Sequence, residues 1–218
     1  MCRCWKAQAT SGFWKTIQRS VSEKRYTIID VLFFTITEVG MAADLNKLKP
    51  ALKIKVLELV EACSVSGVDM RPNTGLRDPF EQGRLWRQSR SIEEIIKRIN
   101  FLKKQEAHFL AHCIESVGPQ NGKNVTNAVP GLSWHQWGEA IDFFWLVEGE
   151  AVWSIQKLIN GKNGYQELAA QAANIGLDAG GFWKKFKDWP HVQLTHESSP
   201  LDRMDYQEID KAMQDLFS

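Results

Sequence analysis

The sequence predicts an α+β domain in which helices flank a small antiparallel sheet. Apolar residues recur at helical spacing through much of 45–114, whereas two short stretches, 139–145 and 191–194, alternate apolar and polar residues, and one more amphipathic helix lies between them. In 45–62, Leu48, Leu52, Val56, Leu59 and Val60 mark the first helix. Residues 70–76 hold Pro72, Asn73 and Gly75 and read as a polar turn-rich segment. Asp78-Pro79 then starts a helix running through Leu85 and Trp86, which puts Arg77 at a loop-to-helix junction. Ser91 with Glu94 forms a capping box for a long scaffold helix, through Ile95, Ile99 and Leu102 towards Ile114. Gly, Pro and Asn dominate 118–133, a loop that delivers the chain to the first alternating stretch. There Ile141 and Phe143 face one way and Ala140, Asp142 and Phe144 the other. Residues 165–175 form the intervening helix, closed by Gly176, and in the last stretch His191 and Gln193 oppose Val192 and Leu194.

The 218 residues are 44% hydrophobic and 24% charged, enough for one good core. Twenty-seven basic and 26 acidic residues leave a formal charge of +1, which gives no sign of a nucleic-acid partner, and the expected state is a monomer. Of the four cysteines, Cys63 and Cys113 lie in apolar helical patterns and read as buried free thiols; Cys2 and Cys4 stand near the first residue. Residues 26–37, YTIIDVLFFTIT, are apolar but interrupted by Asp30 and shorter than the roughly 20 residues a bilayer needs, so no stable membrane insertion is expected. Lys15, Arg19, Lys24 and Arg25 precede that stretch, yet no clean cleavage site follows it. Met41 is a second possible start, so residues 1–40 read as an N-terminal extension and 41–218 as the domain.

Three side chains carry the chemistry: His135 and Asp142, seven positions apart around Gly138, and His191, with Asp188 three residues before it. Two imidazoles and one carboxylate suit a catalytic zinc, because three protein ligands leave the fourth tetrahedral position open. Asp142 and His191 fall on strand positions whose neighbours point into apolar packing, so the two can share one cleft face. Gly138 lets the chain turn so that His135 reaches back over Asp142. His108 and His112 are four apart on a helix but lack the glutamate of an HExxH site. His196, the run Lys184, Lys185 and Lys187, and most of the nine tryptophans read as solvated loop, solvated face and packing.

Ser133-x-His135-x-x-Gly138-x-Ala140-x-Asp142 resembles the first metal motif of the zinc D-alanyl-D-alanine carboxypeptidases and L-alanyl-D-glutamate endopeptidases. Asp188-Trp189-Pro190-His191-Val192-Gln193 resembles that family's second motif, and Gly180-Gly181-Phe182-Trp183-Lys184-Lys185-Phe186 resembles a stretch typical of its endopeptidase branch. Thr74-Gly75-Leu76-Arg77-Asp78 with Gln82 is similar to the family's arginine element, although Leu76 replaces an aromatic residue and Phe182 an acidic one. The resemblance runs from about 45 to 194. It implies that the sheet carries a Zn2+ held by His135, Asp142 and His191. It implies Asp188 as general base and Arg77 as the group that polarises the scissile carbonyl. Ser133 would orient a ligand or grip substrate, and Gln193 would steady His191 from behind or bind a substrate amide. The implied partner is a peptidoglycan stem peptide, met at the cell wall after release or export from a bacterial cytoplasm. Three activities fit: an L-alanyl-D-glutamate endopeptidase, favoured by the Gly-Gly-x-Trp stretch, a D-alanyl-D-alanine carboxypeptidase, and a metal-binding recognition module without hydrolysis.

Overall fold

The computed structural model describes residues 43–118 and 120–218. The expectations placed on residues 1–40, including the 26–37 stretch, Cys2 and Cys4, lie outside that range. Among the described residues are six α-helices and five strands: α1 (Pro50–Val65), β1 (Asp69–Thr74), α2 (Pro79–Arg87), α3 (Ile92–Lys104), α4 (His108–Glu115), β2 (Ala140–Val147), β3 (Glu150–Val152), α5 (Gly164–Asn174), β4 (Asp178–Ala179), β5 (His191–Gln193) and α6 (Tyr206–Phe217). The α+β class with a small antiparallel sheet stands. No helix among them is long and apolar enough to cross a membrane.

The sheet runs β1-β2-β5-β4 and every pairing is antiparallel. β2 is its spine. β1 pairs along one edge, while β5 takes the Ala140–Asp142 end of the other edge and β3 the Trp145–Val147 end. The faces divide as expected, with Ile141, Phe143 and Trp145 in the first core; on the opposite face Ala140 and Phe144 are also out of water.

Strand β1 corrects the turn-rich reading of 70–76. Pro72 has no N–H to give a ladder, but β1 is an edge strand, and the register slips between Pro72 and Thr74. The first helix begins at Pro50, not 45; Leu45–Lys47 is a separate 3-10 turn, and proline takes the first helical position, where its missing N–H is no loss. The long scaffold helix is two helices. Glu106 adopts φ +57° between them, a left-handed kink that folds α4 back on α3. The Ser91–Glu94 box forms as expected, and the helix begun at Pro79 is capped by the Asp78 carboxylate, which accepts from Phe80 N at 2.7 Å.

Two cores result. One face of the sheet packs on α1 and α5 through Leu52, Val56, Leu59, Met70, Phe143, Tyr165, Leu168 and Val192. The other core joins α2, α3, α4 and α6 through Trp86, Ile99, Leu102, Leu110, Ile114, Ile209 and Met213. Helix α6, which the sequence reading passed over, completes this second core. Ala107 offers α4 no side-chain cap, and the carboxylate of Asp210 on α6 accepts from Leu110 N (2.8 Å) in its place. Cys63 and Cys113 are free and buried, and burial pushes both thiols up to about 12, so they pack as neutral groups.

Candidate active site

The site grows from the β2–β5 ladder, in which Asp142 lies directly opposite His191. Their neighbours Ile141, Phe143 and Val192 point into the first core, so Asp142 and His191 emerge together on the opposite face. His135 comes from the 3-10 turn Trp134–Trp137, whose end is Gly138 at φ +66°. A Cβ there would be strained by that φ and would press on Lys47 O at 3.1 Å, so glycine lets the chain reverse into β2 against the backbone before α1.

The three donors meet in a near-equilateral triangle. His135 Nε2 to Asp142 Oδ1, His191 Nδ1 to Asp142 Oδ1 and His135 Nε2 to His191 Nδ1 are each 3.2 Å. The remaining ring nitrogens fix the tautomers. His135 Nδ1 lies 2.8 Å from Gly75 O, which can only accept. Gln193 Nε2 donates to Thr195 O (2.8 Å) and Glu197 O (3.1 Å), so its Oε1, 3.0 Å from His191 Nε2, must accept from that nitrogen. Three lone pairs are thereby aimed at one point.

That donor set fits zinc. Tetrahedral ligands at bond lengths of about 2.0 Å stand about 3.3 Å apart, close to the observed edges. The electrostatics agree: burial would raise the Asp142 carboxyl, but His135 and His191 hold it well below the usual carboxylate range, and although burial lowers His191, its bond to Asp142 drives it above the ordinary histidine value. Among the described residues these three are the group whose donor atoms lie within 4.8 Å of one another; Asp188 stands outside it.

Arg77 and Asp188 flank the triangle in a cavity of about 710 Å³, which Ser133 and Gln193 also line. Arg77 Nη2 is 3.5 Å from Asp142 Oδ2, the oxygen turned away from the histidines, and Nη1 donates to Gln82 Oε1 (3.1 Å). Gln82 is fully buried and donates to Ala128 O (2.7 Å), so the guanidinium is braced from behind. Asp188 opens to solvent across the cleft, but nearby protein still raises its carboxyl above the ordinary value; His191, His135 and Arg77 pull against that rise, and Asp142 adds to it. The two glycines upstream explain how the loop closes. A Cβ on Gly180 would strike Asp188 O at 2.3 Å, and one on Gly181 the Trp189 ring at 2.4 Å. Trp183 lies against His191, with ring centroids 5.1 Å apart, and donates from Nε1 to Asp178 (2.8 Å).

The family model described as VanY, D-alanyl-D-alanine carboxypeptidase, matches residues 45–192, an interval that contains Arg77, His135, Asp142, Asp188 and His191. The chain belongs to the VanY family. Among similar proteins, this VanY-family chain is 29% identical over 152 residues to the peptidoglycan L-alanyl-D-glutamate endopeptidase CwlK of Bacillus subtilis (strain 168), covering 68% of this chain and 74% of that one. It is 28% identical over 118 residues to the L-alanyl-D-glutamate peptidase of Listeria phage A118, which covers 54% of this chain and 36% of the phage protein's length. A crystal structure of the L-Ala D-Glu endopeptidase ChiX of Serratia marcescens aligns over 73% of this chain and 95% of its own, at 16% identity and a TM-score of 0.36.

All seven site residues read from the sequence converge on this one cavity. Others lie apart: His108 pairs with Glu106 at the surface, and His112 sets its ring edge to Phe80. His196 is exposed on the rim, 3.8 Å from Asp178. The sequence reading missed Trp153, half-exposed on the cavity wall and backed by Phe144 at 5.8 Å, for it follows a three-residue strand that leaves no period to read. It also missed the Gly75 carbonyl, a backbone group that no side-chain pattern can announce.

Proposed function

We propose that this chain is a zinc-dependent peptidase that hydrolyses the L-alanyl-D-glutamate bond of peptidoglycan stem peptides, acting at the bacterial cell wall after release or export and working as a monomer. The observation that carries the reading is the triangle of 3.2 Å edges, three lone pairs fixed by their tautomers on one point, with an acid and an arginine at its edge. His135, Asp142 and His191 would hold the metal. A zinc ion at such a site lowers the pKa of water from ~15.7 towards ~7 and polarises a carbonyl.

The chain's own residues do the rest. Asp188 takes a proton from the attacking water as its oxygen adds to the carbonyl carbon, and returns that proton to the nitrogen as the C–N bond breaks. Arg77, held by Gln82, offers charge-assisted hydrogen bonds to the oxygen that gains negative charge. Gln193 keeps His191 Nδ1 unprotonated by accepting from Nε2, and Ser133 grips the substrate on the cavity wall. We assign the domain to residues 41–218, because α6 closes its second core.

The printed names of the two similar proteins favour the endopeptidase. The family's description favours the same chemistry on a terminal D-alanyl-D-alanine bond, the second reading. Retention of both Asp188 and Arg77 argues against a recognition module. Digestion of a defined muropeptide pentapeptide followed by mass spectrometry separates the readings. Release of the stem from D-glutamate onwards supports the endopeptidase, loss of one terminal alanine supports the carboxypeptidase, and an intact substrate with zinc bound supports the module.

A further inference from the structure

The cavity that holds the triangle is one lobe of a longer cleft. A second lobe, about 1010 Å³, shares Thr126, Val125, Trp183, Asp188 and Ser198 with the first. The lobes differ in chemistry. The first is walled by Arg77, Trp153 and the metal triangle, the second by Lys185, Lys187, Phe186, Asn124 and Asn127. Both lysines are exposed, and neither forms an ion pair among the described residues; Lys187 sits 5.2 Å over the Trp189 ring. The second lobe's other acid, Asp178, is engaged by Trp183 Nε1 and faces His196. Asp188, which lines both lobes, marks the junction.

Position along the cleft then follows from the reaction. If Asp188 returns a proton to the leaving nitrogen, that nitrogen lies at the junction. The carbonyl lies on the side of Arg77 and the triangle, so the chain beyond the nitrogen enters the lysine lobe. Resting on the endopeptidase reading above, we propose that the stem peptide lies across the cleft with its leaving half in the Lys185–Lys187 lobe, where the ammonium groups select the free carboxylates of that half. In an L-alanyl-D-glutamate substrate linked onward through the side chain, the first such carboxylate sits on the carbon bonded to the leaving nitrogen, immediately past the junction. The acyl half, which ends in a sugar lactyl ether, carries no charge there and meets Trp153.

The test compares two synthetic muropeptides that differ only at this carboxyl, free or amidated. The natural chain is expected to favour the free form by about fivefold in kcat/KM, mostly through KM and less so at raised salt, as befits two exposed charge pairs. Lys185→Ala with Lys187→Ala should bring the ratio towards one. The double arginine variant should keep the preference, as should Lys184→Ala, which lies outside the lobe. Equal rates on the two substrates by the natural chain overturn the proposal, and so does a double alanine variant that keeps its melting temperature and its preference. Product masses showing loss of terminal D-alanine instead would overturn the endopeptidase reading itself, and the orientation with it.

Discussion

The His135–Asp142–His191 triangle and the cleft wall are built in opposite ways. His135 and His191 are buried, and with Asp142 they are set by a strand register, a glycine turn and carbonyl partners behind each ring. Lys185, Phe186, Lys187 and Trp153 are exposed and rest on loops. The contrast shows where each property is stored. On the proposed mechanism, bond-breaking capacity would rest on the sheet and its first core, and choice of substrate on side chains that could change without disturbing either.

The sharpest way to break this contrast is at the triangle. His135→Ala or His191→Ala should abolish turnover and strip the one zinc expected per chain, because two remaining ligands rarely hold it; elemental analysis that finds undiminished zinc in both variants would sink the ligand assignment. Next comes the pair of carboxylates. Asp188→Asn should retain zinc while slowing lysis by about 10²- to 10⁴-fold, the usual contribution of a positioned base. Asp142→Asn should instead weaken zinc binding along with activity, since a ligand charge is removed. Zinc content and lysis measured side by side would expose reversed roles if the metal is lost from the first variant and kept by the second.

A smaller effect is expected one layer back. Gln193→Ala removes the acceptor that fixes the His191 tautomer, and zinc affinity should fall about 10- to 100-fold. Arg203 lies further out: it binds Thr195 Oγ1 (2.6 Å) and Glu197 Oε2 (2.5 Å), the loop whose carbonyls hold Gln193. Arg203→Ala should shift affinity in the same direction by less, and titration against a competing chelator reads both; unchanged affinity in Gln193→Ala would remove it from the site's support. The mildest change belongs to the wall. Trp153→Ala should raise KM several-fold while stability moves within about 0.5 kcal/mol, as at other exposed positions. A large drop in melting temperature there would show that the wall is part of the core after all.

Legibility in the sequence follows the same divide. Asp142, His191 and Gln193 could be placed because a period of two is short-range and the residues flanking them are apolar. Strand β1 escaped because Pro72 and Asn73 look like a turn until the edge position and the register slip are known. The break at Glu106 escaped as well, for nothing local in Gln105-Glu106-Ala107 opposes a helix; burying both α3 and α4 on Trp86 and Ile209 requires the kink. Helix α6 was a different failure. Its box, Asp205 with Glu208, and its apolar spacing, Ile209 to Met213, are present in the sequence and were readable.

The bond from Leu110 N to Asp210 spans 100 residues, and this has a consequence for synthesis. A ribosome adding about 5 to 20 residues per second leaves α4 waiting roughly 5 to 20 s for the carboxylate that satisfies its first turn. Through that interval Leu110 and Ile114 lack Ile209 and Met213 as partners. The nascent protein is therefore expected to display an unfinished apolar surface until α6 emerges. Stalled chains ending before Asp205 should be cut by protease within α3 and α4, with protection arriving only when α6 has cleared the exit tunnel; protection already complete without α6 would show that the second core closes on its own.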